Sequence, residues 1–240
     1  MPHEAEPYYL AYDCRYRSAY AQGADRYALP DAEEKVRAIV RRHVERFKLA
    51  GKRVIEFGCG EGAAALELAR LGCIYRGYDI SPAAIEKAAV ALSSYPKAKV
   101  AVRDVVQGTF PRHAFDAGID VGCLHMLVTD ADRARYLKNV HDCLKPGAPM
   151  LFARVGYSEN AYERPVADYQ QWLRIFGKDV TKPQRRSAQK DGKEIDIMLP
   201  LIPYRTRSEQ GYRRELAAAS FNVSEFETDG EWANILVETR

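Results

Sequence analysis

A chain of 240 residues, 47% of them hydrophobic, can bury one sizeable core, and one α/β domain with additions is the expectation. The formal charge of +3 comes from 36 basic and 33 acidic side chains, so composition excludes a strongly cationic nucleic-acid binder and favours a small-molecule partner, with neither nucleic acid nor membrane. The five scattered cysteines (Cys14, Cys59, Cys73, Cys123, Cys143) form no C-x-x-C pair for a metal and no disulfide framework, and the acidic start MPHEAEPYYLAYD lacks a signal pattern; together they predict a soluble, cytoplasmic protein with no metal.

In chain order, the first feature is a tyrosine-rich segment in which Tyr12, Tyr16 and Tyr20 recur at helical spacing as one aromatic stripe. Core packing explains such a stripe; a lid over a ligand explains it as well, because aromatic faces attract cations and exclude water. The helical stretch DAEEKVRAIVRRHVERFKL follows. Then KRVIEF, AAALELARLG, CIYRGYDI, PAAIEKAAVALSSY and AKVAVRDV alternate strand, helix, strand, helix, strand, which predicts a parallel sheet. Ser81 with Pro82 behind it reads as a helix start, and Gly72 as the end of the preceding helix. FDAGIDVGCLHML gives a fourth strand and its exit loop, DADRARYLKNVHDCLK a helix stopped by Pro146-Gly147, and PMLFARV a fifth strand. An aromatic-containing insertion at 157–203 comes next, in which Pro165, Tyr169, Trp172 and Phe176 read as one helical face. It docks on the sheet edge or lines an acceptor pocket. The basic run KPQRRSAQKDGK inside it reads as a solvated hairpin turn. After the helix SEQGYRRELAAAS, the strands FNVSEFET and WANILVET flank Asp229-Gly230, a hairpin signal. The predicted class is therefore a doubly wound, Rossmann-like α/β fold. It has a mostly parallel seven-stranded sheet, an antiparallel C-terminal strand, an N-terminal helical lid and an insertion after the fifth strand.

The chemistry concentrates in VIEFGCGEG, residues 54–62, where a strand ends in alternating glycines and a helix starts at once. Such a turn lets a ligand approach bare backbone and the N–H groups of a helix start, which suits a nucleotide-like molecule. Gly58, Gly60 and Ala63 also satisfy the dinucleotide fingerprint, and Asp79 lies where an acid takes ribose hydroxyls in either case. Two observations separate the readings. Glu56 and Glu61 make the turn acidic, a setting for a cationic ligand rather than a pyrophosphate, and Asp104 stands at the end of the third strand, where a carboxylate can accept from an adenine amino group.

With these residues in this order, the chain from about residue 50 onward resembles the class I S-adenosylmethionine-dependent methyltransferase family. The resemblance implies S-adenosyl-L-methionine as cofactor. Glu56, Gly58, Gly60 and Gly62 match the family's first motif, E/D-x-G-x-G-x-G, whose loop lies along the methionine part and ribose; Asp79, with Ile80 beside it, matches the acid that binds both ribose hydroxyls. Asp104 matches the residue near adenine N6, Val105 offers its N–H to the ring, and Tyr16 of the lid joins the cofactor side. Ala148 replaces the second glycine of the usual L-K-P-G-G turn. DVGCLHMLVTDADRARYL, with DGKEIDIMLPLIPYR, is similar to small-molecule branches near the thiopurine and thiol methyltransferase-like proteins.

The implied organisation is one methyltransferase domain: 1–50 as lid and helix, 51–156 and 204–240 as the cofactor-binding core, and 157–203 as an acceptor-side cap. The implied reaction is in-line displacement of the methyl group by an acceptor O, N or S atom. Of the histidines, His3, His43, His113 and His141 fall in a tail or on presumed helix surfaces and read as solvent-facing. His125 follows the fourth strand at the sheet's carboxyl edge, where it acts as a base or packs. Cys123 beside it reads as a small buried residue. An NAD(P)-dependent reductase, an RNA or protein methyltransferase and a catalytically silent cofactor-binding protein remain the alternatives.

Overall fold

Each apolar run that alternates with a 3.6-period segment becomes a strand, and the helices fall between them. The computed structural model describes residues 7–27, 30–177, 182–200 and 202–240. It opens with α1 (Ala11–Ala21) and α2 (Pro30–Phe47), then runs β1 (Arg53–Phe57), α3 (Ala63–Arg70), β2 (Ile74–Asp79), α4 (Pro82–Ala91) and β3 (Lys99–Val102). The second half runs β4 (Ala117–Val121), α5 (Asp130–Cys143) and β5 (Pro149–Gly156). The insertion contributes α6 (Tyr169–Phe176) and the hairpin β6 (Pro183–Lys190) and β7 (Lys193–Pro200), before α7 (Glu209–Ala218), β8 (Phe221–Thr228) and β9 (Trp232–Thr239) close the chain.

Side-chain oxygens start the helices where the sequence places them: Ser81 accepts from the Ala84 N–H, Thr129 from Asp132, Asp168 from Gln171 and Ser208 from Gly211. The strands form one seven-stranded sheet in the order β3-β2-β1-β4-β5-β9-β8. The strands β1 to β5 are parallel, and β9 is antiparallel to both its neighbours. The last strand in sequence thus inserts between β5 and β8, and β8 takes the edge. Strand order reverses between β1 and β4, so a crevice opens outside their carboxyl ends, the place where open α/β sheets hold ligands.

Two apolar layers clamp the sheet. Phe57, Phe152, Leu137, Leu216 and Phe221 pack on one face, while Val36, Val40 and Val44, spaced by four along α2, pack with Leu68 and Ile119 on the other. His43 lies in this second layer at 4% exposure, against Phe47, so the expectation of a solvent-facing histidine is corrected: the i, i+4 stripe of valines rotates that face of α2 inward. His141 is half-buried against Phe221, His113 is exposed, and His3 lies outside the described residues.

In the insertion, Tyr169, Trp172 and Phe176 stack in sequence, with Trp172 wholly buried beside Val128 and Val166. This face docks on the loop after β4 and on Tyr8, and Pro165 precedes the helix instead of sharing its face. The basic run forms β6 and the Asp191-Gly192 turn, a two-stranded sheet of its own, against which α1 packs through Ala19, Ile197 and Leu199. Among the described residues no helix is long and apolar enough to cross a membrane, and no group of side chains has the makings of a metal site.

Candidate functional site

The glycine turn after β1 is built by its own hydrogen bonds. Gly58 and Cys59 both donate their N–H groups to the Tyr78 carbonyl, Gly60 donates to Asp79, and Gly62 donates to the Cys59 carbonyl. The sequence suggested backbone donors waiting for a ligand; these four are already spent on the turn. The glycines themselves are explained by side chains from elsewhere. A Cβ at Gly58 would lie 2.6 Å from the Cys123 Cβ, and one at Gly60 would lie 2.6 Å from the Tyr16 hydroxyl, with both residues in the left-handed region at φ 73° and 49°.

Over this turn a cavity of about 350 Å³ is lined by Gly58, Asp79, Ile80, Asp104, Val105 and His125, with Tyr9, Tyr12 and Tyr16 covering it from the N-terminal segment. Its walls join residues that lie far apart in sequence, and they include six of the ten predicted site residues besides Tyr16. Glu56, Gly60 and Gly62 stand behind the wall. Glu56 is buried there, accepts the Tyr75 hydroxyl at 2.5 Å, and is pushed by burial up to about 8, so it is a largely protonated structural acid at neutral pH.

Asp79 is 7% exposed, and its two oxygens accept from Gly60 at 2.8 Å and Ser81 at 2.9 Å. Burial raises its carboxyl above the ordinary range. Each carboxylate oxygen can accept twice, so one position on each remains for a diol. Asp104 Oδ1 accepts from both Val106 and Gln107 N–H, and Oδ2 accepts the Tyr9 hydroxyl at 3.0 Å. Its remaining acceptor capacity is on Oδ2. Glu61 does not face the cavity's ligand space: it accepts the Tyr20 hydroxyl at 2.7 Å and the Tyr27 N–H at 2.8 and 3.0 Å, which ties the N-terminal segment over the turn. Tyr16, half-buried beside Asp79 and Glu61, has its hydroxyl pKa raised first by burial and then by those acids, so it stays a neutral donor.

On the other side of the crevice, Asp120 ends β4 fully buried. It accepts from the Cys123 and Leu124 N–H groups at 2.6 and 2.9 Å and from the Tyr136 hydroxyl at 2.6 Å, and burial pushes it up to about 6. It shapes the short turn that carries His125. The His125 ring is 3% exposed and meets Trp232 edge-to-face at 5.5 Å. Burial, then the charges of Arg133 and Arg154, lowers it to about 3, and Nδ1 has no partner among the described residues. A neutral imidazole at all ordinary pH values is the result. Cys123, expected to be buried, is half-buried on the cavity wall with its Cβ and sulfur where a Gly58 side chain would lie, and burial with Asp120 raises its thiol well above the usual range.

Sequence reasoning missed Asp120, Arg154 and Trp232, all of which line the cavity or shape it. Arg154 had a signal: it is a lone charge within PMLFARVG, a strand buried on both faces. A second chamber of about 660 Å³ adjoins the first and shares Tyr27, His125, Met126 and Trp232 with it; its far side is lined by Phe176, Arg186 and Ile202 of the insertion and by Tyr204.

Comparison with known proteins agrees with this geometry. A family described as "Methyltransferase domain" matches residues 54–147, from β1 through the turn before β5. The ubiquinone biosynthesis O-methyltransferase of Acinetobacter baylyi is 25% identical over 130 residues, 54% of this chain, which spans only 55% of that relative's length. The protein of the same name from Xanthomonas oryzae pv. oryzae is 26% identical over 191 residues, covering 74% of this chain and 78% of the relative. Among solved structures, 1,6-didemethyltoxoflavin-N1-methyltransferase of Burkholderia thailandensis, with its acceptor and S-adenosylhomocysteine bound, has a TM-score of 0.63 at 17% identity and covers 100% of this chain and 90% of that one; the likeness is one of fold. Family match, fold and a crevice at the strand reversal converge: the chain carries a methyltransferase domain over residues 54–147 and has the fold of S-adenosylmethionine-dependent methyltransferases, whose cofactor is S-adenosylmethionine.

Proposed function

We propose that this protein transfers the cofactor's methyl group to a heteroatom of a small-molecule acceptor seated in the chamber beside His125 and Trp232. The observation that carries the proposal is that one crevice joins Asp79 and Asp104, each with acceptor capacity left, to a second chamber through shared walls. The fit to an adenosine-bearing cofactor rests on Asp79: a buried carboxylate with no ion-pair partner among the described residues is best satisfied by a pair of hydroxyl donors. Asp79 then holds the ribose, Asp104 Oδ2 the adenine amino group and the Val105 backbone the ring, while Ile80 packs beside it. When bound, the cofactor supplies a methyl group activated by a positively charged sulfur. The chain's own part is to orient the acceptor and to exclude water with the tyrosines of residues 8–27, so that positioning and desolvation carry most of the rate.

The N-terminal segment as lid and residues 157–203 as acceptor-side cap are supported by Tyr16 over Gly60 and by Phe176 and Ile202 in the second chamber. The names of the curated relatives favour oxygen as the methylated atom, whereas the resemblance around DVGCLHML favours sulfur. Calorimetric titration with S-adenosylmethionine, S-adenosylhomocysteine, NAD and NADP tests the cofactor site, with binding of the first two expected. Binding of a nicotinamide cofactor alone overturns the reading. Labelled cofactor with panels of phenols, thiols and amines then identifies the acceptor atom, and cofactor binding without turnover on any of them favours a silent binding protein.

A further inference from the structure

Three of the four buried arginines among the described residues have carboxylate partners. Arg133 pairs with Glu215 at 2.6 Å, Arg205 with Asp130 at 2.6 Å, and Arg207 with Glu163 at 3.1 Å. Arg154 differs. It lines the cavity beside His125, is half-buried, and has neither an ion pair nor a side-chain hydrogen bond among the described residues. Its guanidinium instead lies over the Trp232 ring, 5.2 Å from the centroid. Asp229, exposed in the β8–β9 turn, feels the charge without reaching ion-pair distance.

The backbone has been bent to put it there. In the pairing of β5 with β9, Phe152 faces Ile235 and Val155 faces Ala233, so Ala153 and Arg154 together oppose the single residue Asn234. Arg154 takes φ 51°, a conformation uncommon for a residue with a side chain, and its N–H donates to the Asn234 side chain at 3.0 Å. Bulges of this kind re-aim side chains next to active sites, and here the re-aimed group is a cation over an aromatic plate on the cavity wall. Hydrophobic packing would need no charge and no bulge in the middle of a strand otherwise buried on both sides. The neighbouring chamber has the same sign: Arg15, 6% exposed, donates only to the Pro200 carbonyl and the Tyr27 hydroxyl, its Nε has no partner, and Arg186 faces a single acid, Glu231, across the space.

We propose that Arg154 is a specificity-determining residue that receives an anionic group, a carboxylate or an ionised acidic hydroxyl, on an aromatic acceptor stacked toward Trp232. This rests on the methyltransferase reading and names its substrate class. A planar guanidinium meets a carboxylate through two parallel N–H donors, and an aromatic plate beneath it holds the fork in place. The acceptors favoured by this site are aromatic acids carrying a nucleophilic hydroxyl, thiol or amine, and their neutral amides are disfavoured.

The test holds the protein saturated with S-adenosylhomocysteine and titrates a matched pair of probes, 3,4-dihydroxybenzoate and the neutral 3,4-dihydroxybenzamide, followed by calorimetry. The wild type binds the benzoate about tenfold or more tightly than the amide, the range for a hydrogen bond to a charged group. Arg154→Gln abolishes the preference and leaves S-adenosylhomocysteine affinity within about twofold by calorimetry. Arg154→Asn, a residue that tolerates the left-handed conformation, does the same and guards against a folding defect at the bulge. Equal binding of the two probes, saturable binding of neither, or a preference that survives both substitutions overturns the proposal while leaving the cofactor site intact. Failure of the wild type to bind S-adenosylhomocysteine at all overturns the methyltransferase reading, and this inference with it.

Discussion

Asp79 performs two tasks with one carboxylate. It closes the glycine turn through the Gly60 N–H and the start of α4 through the Ser81 N–H, and it turns its remaining lone pairs to the cavity. Asp79→Ala is expected to weaken S-adenosylhomocysteine binding by about 1.5 to 3 kcal/mol and to lower thermal stability as well, because two buried N–H groups lose their acceptor. Calorimetry on the folded variant checks the first part, and an unchanged dissociation constant removes Asp79 from the site. His125 is a second single-residue case. A general base works best with a pKa near the working pH, and burial with Arg133 and Arg154 nearby holds this imidazole near 3. His125→Asn is therefore expected to keep turnover of a hydroxyl acceptor within about tenfold, with the same pH profile between 5.5 and 8, a smaller loss than the hundredfold or more that base catalysis contributes. A hundredfold loss, with a wild-type inflection below pH 7 that disappears in the variant, restores the base role.

At the scale of elements, α1 is held across the carboxyl ends of the strands by polar contacts more than by a greasy face. Ser81 donates its hydroxyl to Asp13 at 2.7 Å, the Tyr12 hydroxyl reaches the Pro203 carbonyl, and Glu61 receives both Tyr20 and the Tyr27 N–H. Glu61→Ala removes the last two together. Amide exchange across Ala11–Ala21 is expected to quicken by tenfold or more, with weaker S-adenosylhomocysteine binding, because about 1 to 3 kcal/mol of docking is lost. Unchanged protection of those amides would show that β7 and the contacts of Asp13 and Tyr12 hold the helix without Glu61. These contacts also show where the sequence was readable. The strands β1 to β5, β8 and β9 and the helices between them announce themselves by period and punctuation, as Ser81-Pro82 and Asp229-Gly230 do, since those signals are local, whereas β6 and β7 read only as a solvated hairpin turn. The occupants of the space over Gly58 and Gly60 are not local: Cys123 and Tyr16 arrive from a loop and a helix many residues away, so the spacing of glycines indicated close approach but not what approaches. The bulge at Ala153 and Arg154 is equally silent, because it depends on Asn234 in the partner strand.

Across the whole molecule, stability depends on buried groups that titrate in opposite directions. Glu56 and Asp120 are pushed up to about 8 and about 6, so the folded state binds their protons more tightly than the unfolded chain, and their contribution declines as pH rises from the ordinary carboxyl range through those values. His43 and His125 work the other way. Burial lowers them from 6.5 to about 4 and about 3, so below pH 6.5 the unfolded chain takes up protons that the folded state refuses, and stability falls with pH until the folded values are reached. His43 isolates this effect because it lies in the layer between α2 and the sheet, remote from the cavity walls, with its Nε2 unpartnered among the described residues. His43→Leu puts an apolar group in an apolar layer and leaves Glu56, Asp120 and His125 to titrate as before. Between pH 7 and pH 5 the wild type is expected to lose about 2 kcal/mol more stability than this variant, which follows from one imidazole held neutral across that interval. Urea unfolding at the two pH values gives the comparison directly. The same pH dependence in both proteins would mean that His43 takes up its proton within the folded chain, and that the layer under α2 opens to water before the domain unfolds.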